Sequence, residues 1–181
     1  MNALIVDGYN IIHGWPELKA ALGKGPLEEA RRLLLVRLSE YSSVTGVQVT
    51  VVFDGPRRPN LPTAPAEIVD GVRVHFSGRS GSADHLIERL AYEATRVDGP
   101  GAVRVATSDR LQRDVVSAMG CATVDARSLE AEVMAALVAT ARDATRLRDQ
   151  AATQRRVEHQ LPKDVYDQLE ALRRGETPPE G

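Results

Sequence analysis

The feature that most constrains the fold of this chain is a short apolar run that ends in aspartate, and the chain contains this feature three times. Residues 3–6 lead into Asp7, residues 49–53 into Asp54, and residues 103–108 into Asp109. A continuous apolar run bounded by turn residues is typical of a β-strand buried on both faces, as in a parallel sheet. Open α/β sheets place their ligands beyond the carboxyl ends of such strands. The sequence therefore predicts three carboxylates along one edge of one sheet.

Each of these aspartates also has a simpler interpretation, because Asp after a strand commonly makes a turn or caps the next helix. Both interpretations stay open for each residue taken alone. Three carboxylates gathered at one edge repel one another, however, and they need a cation or raised pKa values as compensation. Hard divalent ions, which prefer oxygen ligands, supply that compensation.

The remaining elements alternate between helix and strand. Helical patterns are predicted over residues 27–44, 83–96, 110–119 and 128–144, and further strands over residues 72–76 and 121–124. The segment from residue 11 to residue 22 is either a helical turn or an irregular loop. This alternation predicts an α/β fold with a parallel sheet and right-handed crossovers.

A fourth acid, Asp84, lies in the first turn of the predicted helix 83–96, with Ser82 as its N-cap. Because this helix follows a predicted strand, it begins at the same sheet edge as Asp7. The alternative interpretation is an acid that only complements the helix dipole.

Length and composition narrow the classes of protein. A chain of 181 residues suits one compact domain with an appendage. The net charge of −2 means that any basic surface is local, and a single cysteine, Cys121, excludes a disulfide framework and a cysteine-rich zinc site. The amino-terminal apolar run is too short for a signal peptide, and no stretch reaches membrane-spanning length. We therefore expect a cytoplasmic protein without a membrane partner, and the sequence does not define its oligomeric state.

The composition changes near residue 142, where arginines recur and large apolar residues become scarce. This change predicts one domain over residues 1–141 and an arginine-rich helical tail over residues 142–181, with residues 176–181 disordered. The tail is interrupted at Leu161-Pro162. It has two interpretations: an adaptor for a phosphate-bearing partner, or a helix folded back on the domain through Val165, Leu169 and Leu172.

The ordered motifs of the chain resemble those of one known family. They are LIVDGYN at residues 4–10, VFDG at 52–55, SAD at 82–84, ATSD at 106–109 and SLEAEV at 128–133. Together they are similar to the YacP-like branch of the NYN domain family, a relative of the PIN nucleases.

This resemblance implies a PIN-like three-layer sandwich, with a central, mostly parallel sheet of about five strands flanked by helices, and a helical carboxyl-terminal tail. It implies a divalent-metal-dependent endoribonuclease that hydrolyses RNA phosphodiester bonds with Mg²⁺ or Mn²⁺. RNA is then the expected partner, and messenger RNA on the ribosome is a candidate target. The alternative is a non-catalytic module with a degenerate nuclease fold that binds RNA or the ribosome.

Matched by motif position, the active-site residues implied by the resemblance are Asp7, Asn10, Asp54, Asp84 and Asp109. The four aspartates are the expected metal ligands. Asp7 and Asp109 are predicted to bind directly, Asp84 directly or through water, and Asp54 is predicted to complete the set or to orient a water. Asn10 either contacts a phosphate oxygen, orients Asp7, or caps the next segment.

Four arginines near the proposed edge are candidate contacts for RNA phosphates: Arg57, Arg58, Arg79 and Arg110. A solvated surface is the alternative interpretation for each of them. Other chemistries with related sequence features are disfavoured. A haloacid-dehalogenase-like phosphatase needs a second Asp where this chain has Tyr9, and the glycine motifs of P-loop and dinucleotide-binding proteins are absent.

Overall fold

The computed structural model describes residues 3–55, 66–78 and 81–160, together with the single positions 165, 173 and 174, and it describes no side chains for 151–160. The chain divides into two compact units, Met1–Val138 and Ala139–Gly181. All of the predicted site residues that the structure describes belong to the first unit.

The first unit is built on one six-stranded sheet with the strand order β3-β4-β2-β1-β5-β6. The strands are β1 (Ala3–Asp7), β2 (Gln48–Phe53), β3 (Glu67–Val69), β4 (Val72–Phe76), β5 (Val103–Ala106) and β6 (Ala122–Val124). Only β3 is antiparallel to its neighbour, so the predicted, mostly parallel α/β sheet is confirmed. The central strand is β1, which pairs with β2 on one side and with β5 on the other.

Strand β3 was not predicted from the sequence, although the turn that follows it is a recognisable hairpin signal. Asp70 and Gly71 join β3 to β4, and both have positive φ angles, 47° and 83°. A two-residue Asp-Gly loop with this geometry is the turn that hairpins favour. The three-residue strand before it is too short to show a clear alternation of apolar and polar residues.

The described residues form six helices, of which five lie between strands and the last follows β6. They are α1 (Gly8–Gly14), α2 (Pro16–Lys24), α3 (Leu27–Thr45), α4 (Ala83–Asp98), α5 (Arg110–Ala118) and α6 (Ala126–Gln160). The ambiguous segment after residue 10 is therefore helical, in two short pieces. Helix α6 is much longer than the predicted 128–144 and continues past the proposed domain boundary at residue 141. The predicted interruption at residues 161–162 and the predicted disorder of residues 176–181 lie outside the described residues.

The sheet lies between two layers of helices. Along β1, Leu4 and Val6 belong to a core cluster that includes residues of α1, α2, α3 and α6, whereas Ile5 belongs to a cluster with residues of α4 and α5. Successive residues of a strand point to opposite faces, so both faces of β1 are covered. This agrees with the predicted three layers. No helix in the described parts of the chain is long and apolar enough to cross a membrane.

Candidate active site

Asp7 lies where the central strand ends and the first helix begins. It is the last residue of β1 and the N-cap of α1, and its Oδ1 accepts a hydrogen bond from the backbone N–H of Asn10 at 3.1 Å. The first residue of the helix is glycine, which lets the start of α1 pack closely against β2. A Cβ atom added to Gly8 would lie 2.3 Å from Cε1 of Phe53 in β2, which is closer than real atoms approach.

The electrostatic environment of Asp7 is the clearest signal of a functional site in this part of the chain. Burial is the main factor that raises the pKa of Asp7 from its ordinary 3.8 to about 6. The hydrogen bond from Asn10 acts in the opposite direction, and the negative charges of Asp84, Asp109 and Asp54 raise the pKa further. The structure therefore brings the four predicted acids into electrostatic contact around Asp7.

Asp109 holds the corresponding position after β5. It is the N-cap of α5, and its Oδ1 accepts hydrogen bonds from the N–H groups of Leu111 at 2.8 Å and Gln112 at 3.2 Å. Its own N–H donates to Oγ1 of the buried Thr107 at 3.1 Å. The simpler capping interpretation thus describes the local geometry of Asp7 and Asp109 correctly. Capping does not account for the negative charges of three further aspartates that raise the pKa of Asp7.

Asp54, after β2, is fixed from two other elements. Its Oδ1 accepts a hydrogen bond from Oγ of Ser77 at 2.8 Å and another from the N–H of Ala83 at 3.2 Å. Ser77 follows β4 directly and is buried. Asp54 therefore joins the ends of β2 and β4 to the first residue of α4. The role of Ser77 was not predicted from the sequence.

Asp84 lies in the first turn of α4, and Ser82 caps this helix as predicted by accepting a hydrogen bond from the N–H of His85. Oδ1 of Asp84 accepts a hydrogen bond from Nε2 of Gln112 at 2.7 Å. Gln112 was not predicted as a site residue. Its position three residues after Asp109, on the buried face of α5, is the only sequence signal for it.

Asn10 links the start of α1 to the loop that follows β5. Its side-chain Oδ1 accepts a hydrogen bond from the N–H of Ser108 at 2.7 Å, across 98 residues of sequence, and its own N–H donates to Asp7. It lies inside α1 and does not cap the segment that follows. The bond to Asp7 comes from the Asn10 backbone, whereas the Asn10 side chain connects the start of α1 to the turn that carries Asp109.

The donor set of this edge fits a hydrated hard cation. The side-chain hydrogen bonds described for the four aspartates all fall on one carboxylate oxygen, Oδ1. Within the described residues, no group of three or more His, Cys, Asp and Glu side chains is arranged so that it could hold a metal ion. Mg²⁺ retains several water ligands and commonly uses only one or two carboxylates. An ion at this edge would therefore be held by one or two of these carboxylates, with water as its other ligands.

Of the four arginines predicted to contact RNA, the structure describes one. Arg110 is the first residue of α5, directly after Asp109, and it is exposed. Arg57, Arg58 and Arg79 lie outside the described residues.

A different arginine, Arg31 of α3, lies near the same edge and was not predicted. Its guanidinium group packs over the rings of Tyr9, Phe53 and Phe76, with centroid distances of 5.2, 5.4 and 5.5 Å, and it donates a hydrogen bond to the Tyr9 hydroxyl. Tyr9 lies two residues after Asp7. Phe53 directly precedes Asp54, and Phe76 directly precedes Ser77. Burial lowers the pKa of Arg31. The aromatic residues beside the acids are therefore held together by a cation.

Comparisons with known proteins agree with this architecture. The family model of the YacP-like NYN domain matches residues 4–174. The chain is 37% identical over 133 residues to "Uncharacterized protein YacP" of Bacillus subtilis (strain 168), and the match covers 74% of this chain and 75% of that protein.

Two crystal structures of Rae1 (YacP) from Bacillus subtilis are similar to the fold. One is of a mutant, with a TM-score of 0.69 and 32% identity, and it covers 95% of this chain and 99% of that one. The other has a TM-score of 0.65 and 33% identity, and it covers 97% of this chain and 96% of that one. The family resemblance predicted from the sequence motifs is thus confirmed, and the chain belongs to the YacP-like NYN domain family.

Proposed function

We propose that this protein is a divalent-metal-dependent endoribonuclease that hydrolyses RNA phosphodiester bonds. The observation that carries the proposal is the environment of Asp7, whose pKa is raised to about 6 by burial and by three further acids at one sheet edge. Strongly perturbed carboxylates in such a cluster are typical of functional sites. Membership of a nuclease-like family supports the same conclusion.

Some of the site residues bind the metal ion, and others orient the groups around it. A bound Mg²⁺ or Mn²⁺ ion supplies an activated water and neutralises charge on the phosphate. We assign Asp7 and Asp109 as its ligands, and Asp84 as a ligand that acts directly or through water. Asp54, whose Oδ1 is held by Ser77, completes the set or orients a water. Asn10 connects the start of α1, which follows Asp7, to the loop that carries Asp109 through its hydrogen bond with Ser108.

The decisive experiment uses a circular RNA, which only an endonuclease can open. Purified protein is incubated with this RNA with and without Mn²⁺, and with and without ribosomes. We expect cleavage that requires the divalent ion and is lost in Asp7→Asn and Asp109→Asn. The control is Asp114→Asn, which removes an exposed acid from α5 and should leave cleavage intact. Cleavage that survives EDTA, or that persists in both site variants, contradicts the proposal.

Metal binding is measured separately by calorimetric titration with Mn²⁺. Loss of a ligand or of its supporting hydrogen bonds commonly weakens metal binding by about 10–100-fold. We expect a loss of this size in Asp7→Asn and in Asp109→Asn, and none in Asp114→Asn. Equal dissociation constants in the wild type and all three variants would contradict a metal site formed by Asp7 and Asp109.

The tail is proposed as the part that brings the nuclease to RNA or to the ribosome. The proposal rests on the arginine-rich composition of residues 142–181, since Lys and Arg contacts to phosphates make binding salt-dependent. Protein truncated after Ala141 should still fold and bind Mn²⁺, while its affinity for RNA or ribosomes falls and its salt dependence flattens. Unfolding of the truncated protein, or unchanged affinity and salt dependence, contradicts this role.

A non-catalytic RNA- or ribosome-binding module is the second candidate. The observation that favours it is that Asp7 and Asp109 both serve as helix N-caps, which is a sufficient structural reason for each residue alone. RNA or ribosome binding without cleavage, under any of the divalent ions tested, would establish this alternative.

A further inference from the structure

Buried polar side chains are rare in the described part of the chain, and they gather around the acids. Apart from Tyr and Trp, the buried polar residues of this part of the chain are Ser77, Thr107 and Gln112. Ser77 donates to Asp54, Thr107 accepts from the N–H of Asp109, and Gln112 donates to Asp84. Burying polar groups costs free energy unless their hydrogen bonds are replaced. This concentration therefore indicates that the interior beneath the sheet edge supports the carboxylates.

Gln112 differs from the other two because it contacts two acids that belong to different helices. Its side-chain Nε2 donates to Oδ1 of Asp84 in α4 at 2.7 Å, and its backbone N–H donates to Oδ1 of Asp109 at 3.2 Å. Gln112 as a residue is 4% exposed, whereas Asp84 is exposed. A single buried residue thus ties the carboxylate of α4 to the capped start of α5.

The chemistry of an amide suits this position. The NH₂ group is the only part of the Gln112 side chain that can donate to a carboxylate, so the contact with Asp84 defines the orientation of the amide. An amide is neutral, so it holds Asp84 without cancelling the negative charge that attracts a cation, as Arg or Lys would. The other atom of the group, Oε1, is buried without a hydrogen-bond partner among the described residues. An unpaired buried acceptor costs free energy, and this cost accompanies the orientation that turns the NH₂ group toward Asp84.

We infer that Gln112 is a positioning residue that holds the carboxylate of Asp84 beside Asp7, so that Asp84 contributes to binding the divalent ion. This inference rests on the proposed function and names a residue that supports the same site. Gln112 acts through Asp84 and touches neither the ion nor the RNA.

The test replaces Gln112 with methionine, which has a similar length and no hydrogen-bonding amide. Because Asp84 is exposed, water takes over its lost hydrogen bond, and the melting temperature of Gln112→Met should stay within about 2 °C of wild type. The dissociation constant for Mn²⁺ in calorimetry should nevertheless rise about tenfold. Ser117→Ala, which changes an exposed residue of the same helix, is the matched control and should alter neither quantity. Gln112→Asn, whose amide is one methylene shorter, is the second variant if the methionine variant does not fold.

A double-mutant cycle separates positioning from a general effect on the fold. Adding Gln112→Met to Asp84→Asn should weaken Mn²⁺ binding no further, because Gln112 acts through the Asp84 carboxylate. Wild-type Mn²⁺ affinity in Gln112→Met, or a full additional loss in the double variant, overturns the inference. Wild-type protein that binds Mn²⁺ but does not cut RNA overturns the nuclease proposal, and the cycle in Mn²⁺ affinity still decides the role of Gln112.

Discussion

Replacing Asp7 with asparagine removes one negative charge from the acidic sheet edge and keeps the N-cap of α1. Asn and Asp are similarly good N-caps, so the side-chain oxygen of asparagine can still accept the hydrogen bond from Asn10. Any change in stability therefore reports mainly on the charge of Asp7. In metal-free protein, we expect Asp7→Asn to be more stable than wild type at neutral pH.

The magnitude follows from the pKa of Asp7, which is about 6 in the folded protein and 3.8 ordinarily. The folded state binds this proton more tightly than the unfolded chain, so wild-type stability falls as the pH rises from about 4 to about 6. Ionisation of Asp7 therefore lowers the free energy of unfolding by about 3 kcal/mol at pH 8, where the effect is complete. At pH 5 the loss is about 1.6 kcal/mol. Asparagine does not titrate, so the advantage of the variant should grow by about 1.4 kcal/mol between these two pH values.

The assay is urea unfolding followed by circular dichroism, in EDTA, at pH 5 and pH 8. Asp114→Asn is the control for removing an exposed acid, and it should show a much smaller pH-dependent gain. Saturating Mn²⁺ should reverse the order of stability, because an ion that binds only the folded wild-type protein stabilises it by mass action. A less stable Asp7→Asn variant at pH 8, or the same difference at both pH values, would refute the electrostatic account of this site.

Three further outcomes follow from other contacts. Mn²⁺ affinity should weaken about tenfold between pH 7 and pH 5, because a proton with a pKa of about 6 competes for Asp7; a pH-independent calorimetric dissociation constant would contradict this. Gly8→Ala should lower the free energy of unfolding by about 1–3 kcal/mol in urea titrations, whereas Gly23→Ala, which has no atom within 4 Å of the new methyl group, should not. Glu132→Gln should cost about 1 kcal/mol at pH 7, because Glu132 is 38% exposed and accepts two hydrogen bonds from Arg104. Arg104 lowers the pKa of Glu132, so this cost should shrink as acid protonates the wild-type carboxylate, and a loss that is constant with pH would be evidence against the ion pair.

The continuity of α6 was not predicted from the sequence. A helix over residues 128–144 and a separate helical tail from residue 142 were expected, whereas one helix covers both segments, because a scarcity of apolar residues predicts solvent exposure and does not end a helix. Residues 126–161 contain neither Gly nor Pro, the residues that most often break helices, and Pro162 is the first breaker. The helix accordingly continues to Gln160. The absence of Gly and Pro therefore predicts the length of this helix better than the scarcity of apolar residues does.

The missed site residues share a physical reason. Ser77, Gln112 and Arg31 have no motif of their own, and each acquires its role through a partner 22 to 28 residues away. A polar residue in a helical pattern reads as a surface residue until the packing shows that its position is buried. Only the folded structure could therefore show that Gln112 faces Asp84 from beneath the sheet edge.

The sequence by itself determined the central strands and the positions of the acids. The apolar runs before Asp7, Asp54 and Asp109 are long enough to specify buried strands, and the same residues carry the family motifs. Such patterns are local, so they can be recognised without knowledge of the rest of the chain. The tertiary structure decided that β1 lies between β2 and β5, because strand order depends on pairing between segments that are distant in sequence. That order brings the other acids around Asp7, and the resulting burial and repulsion raise its pKa.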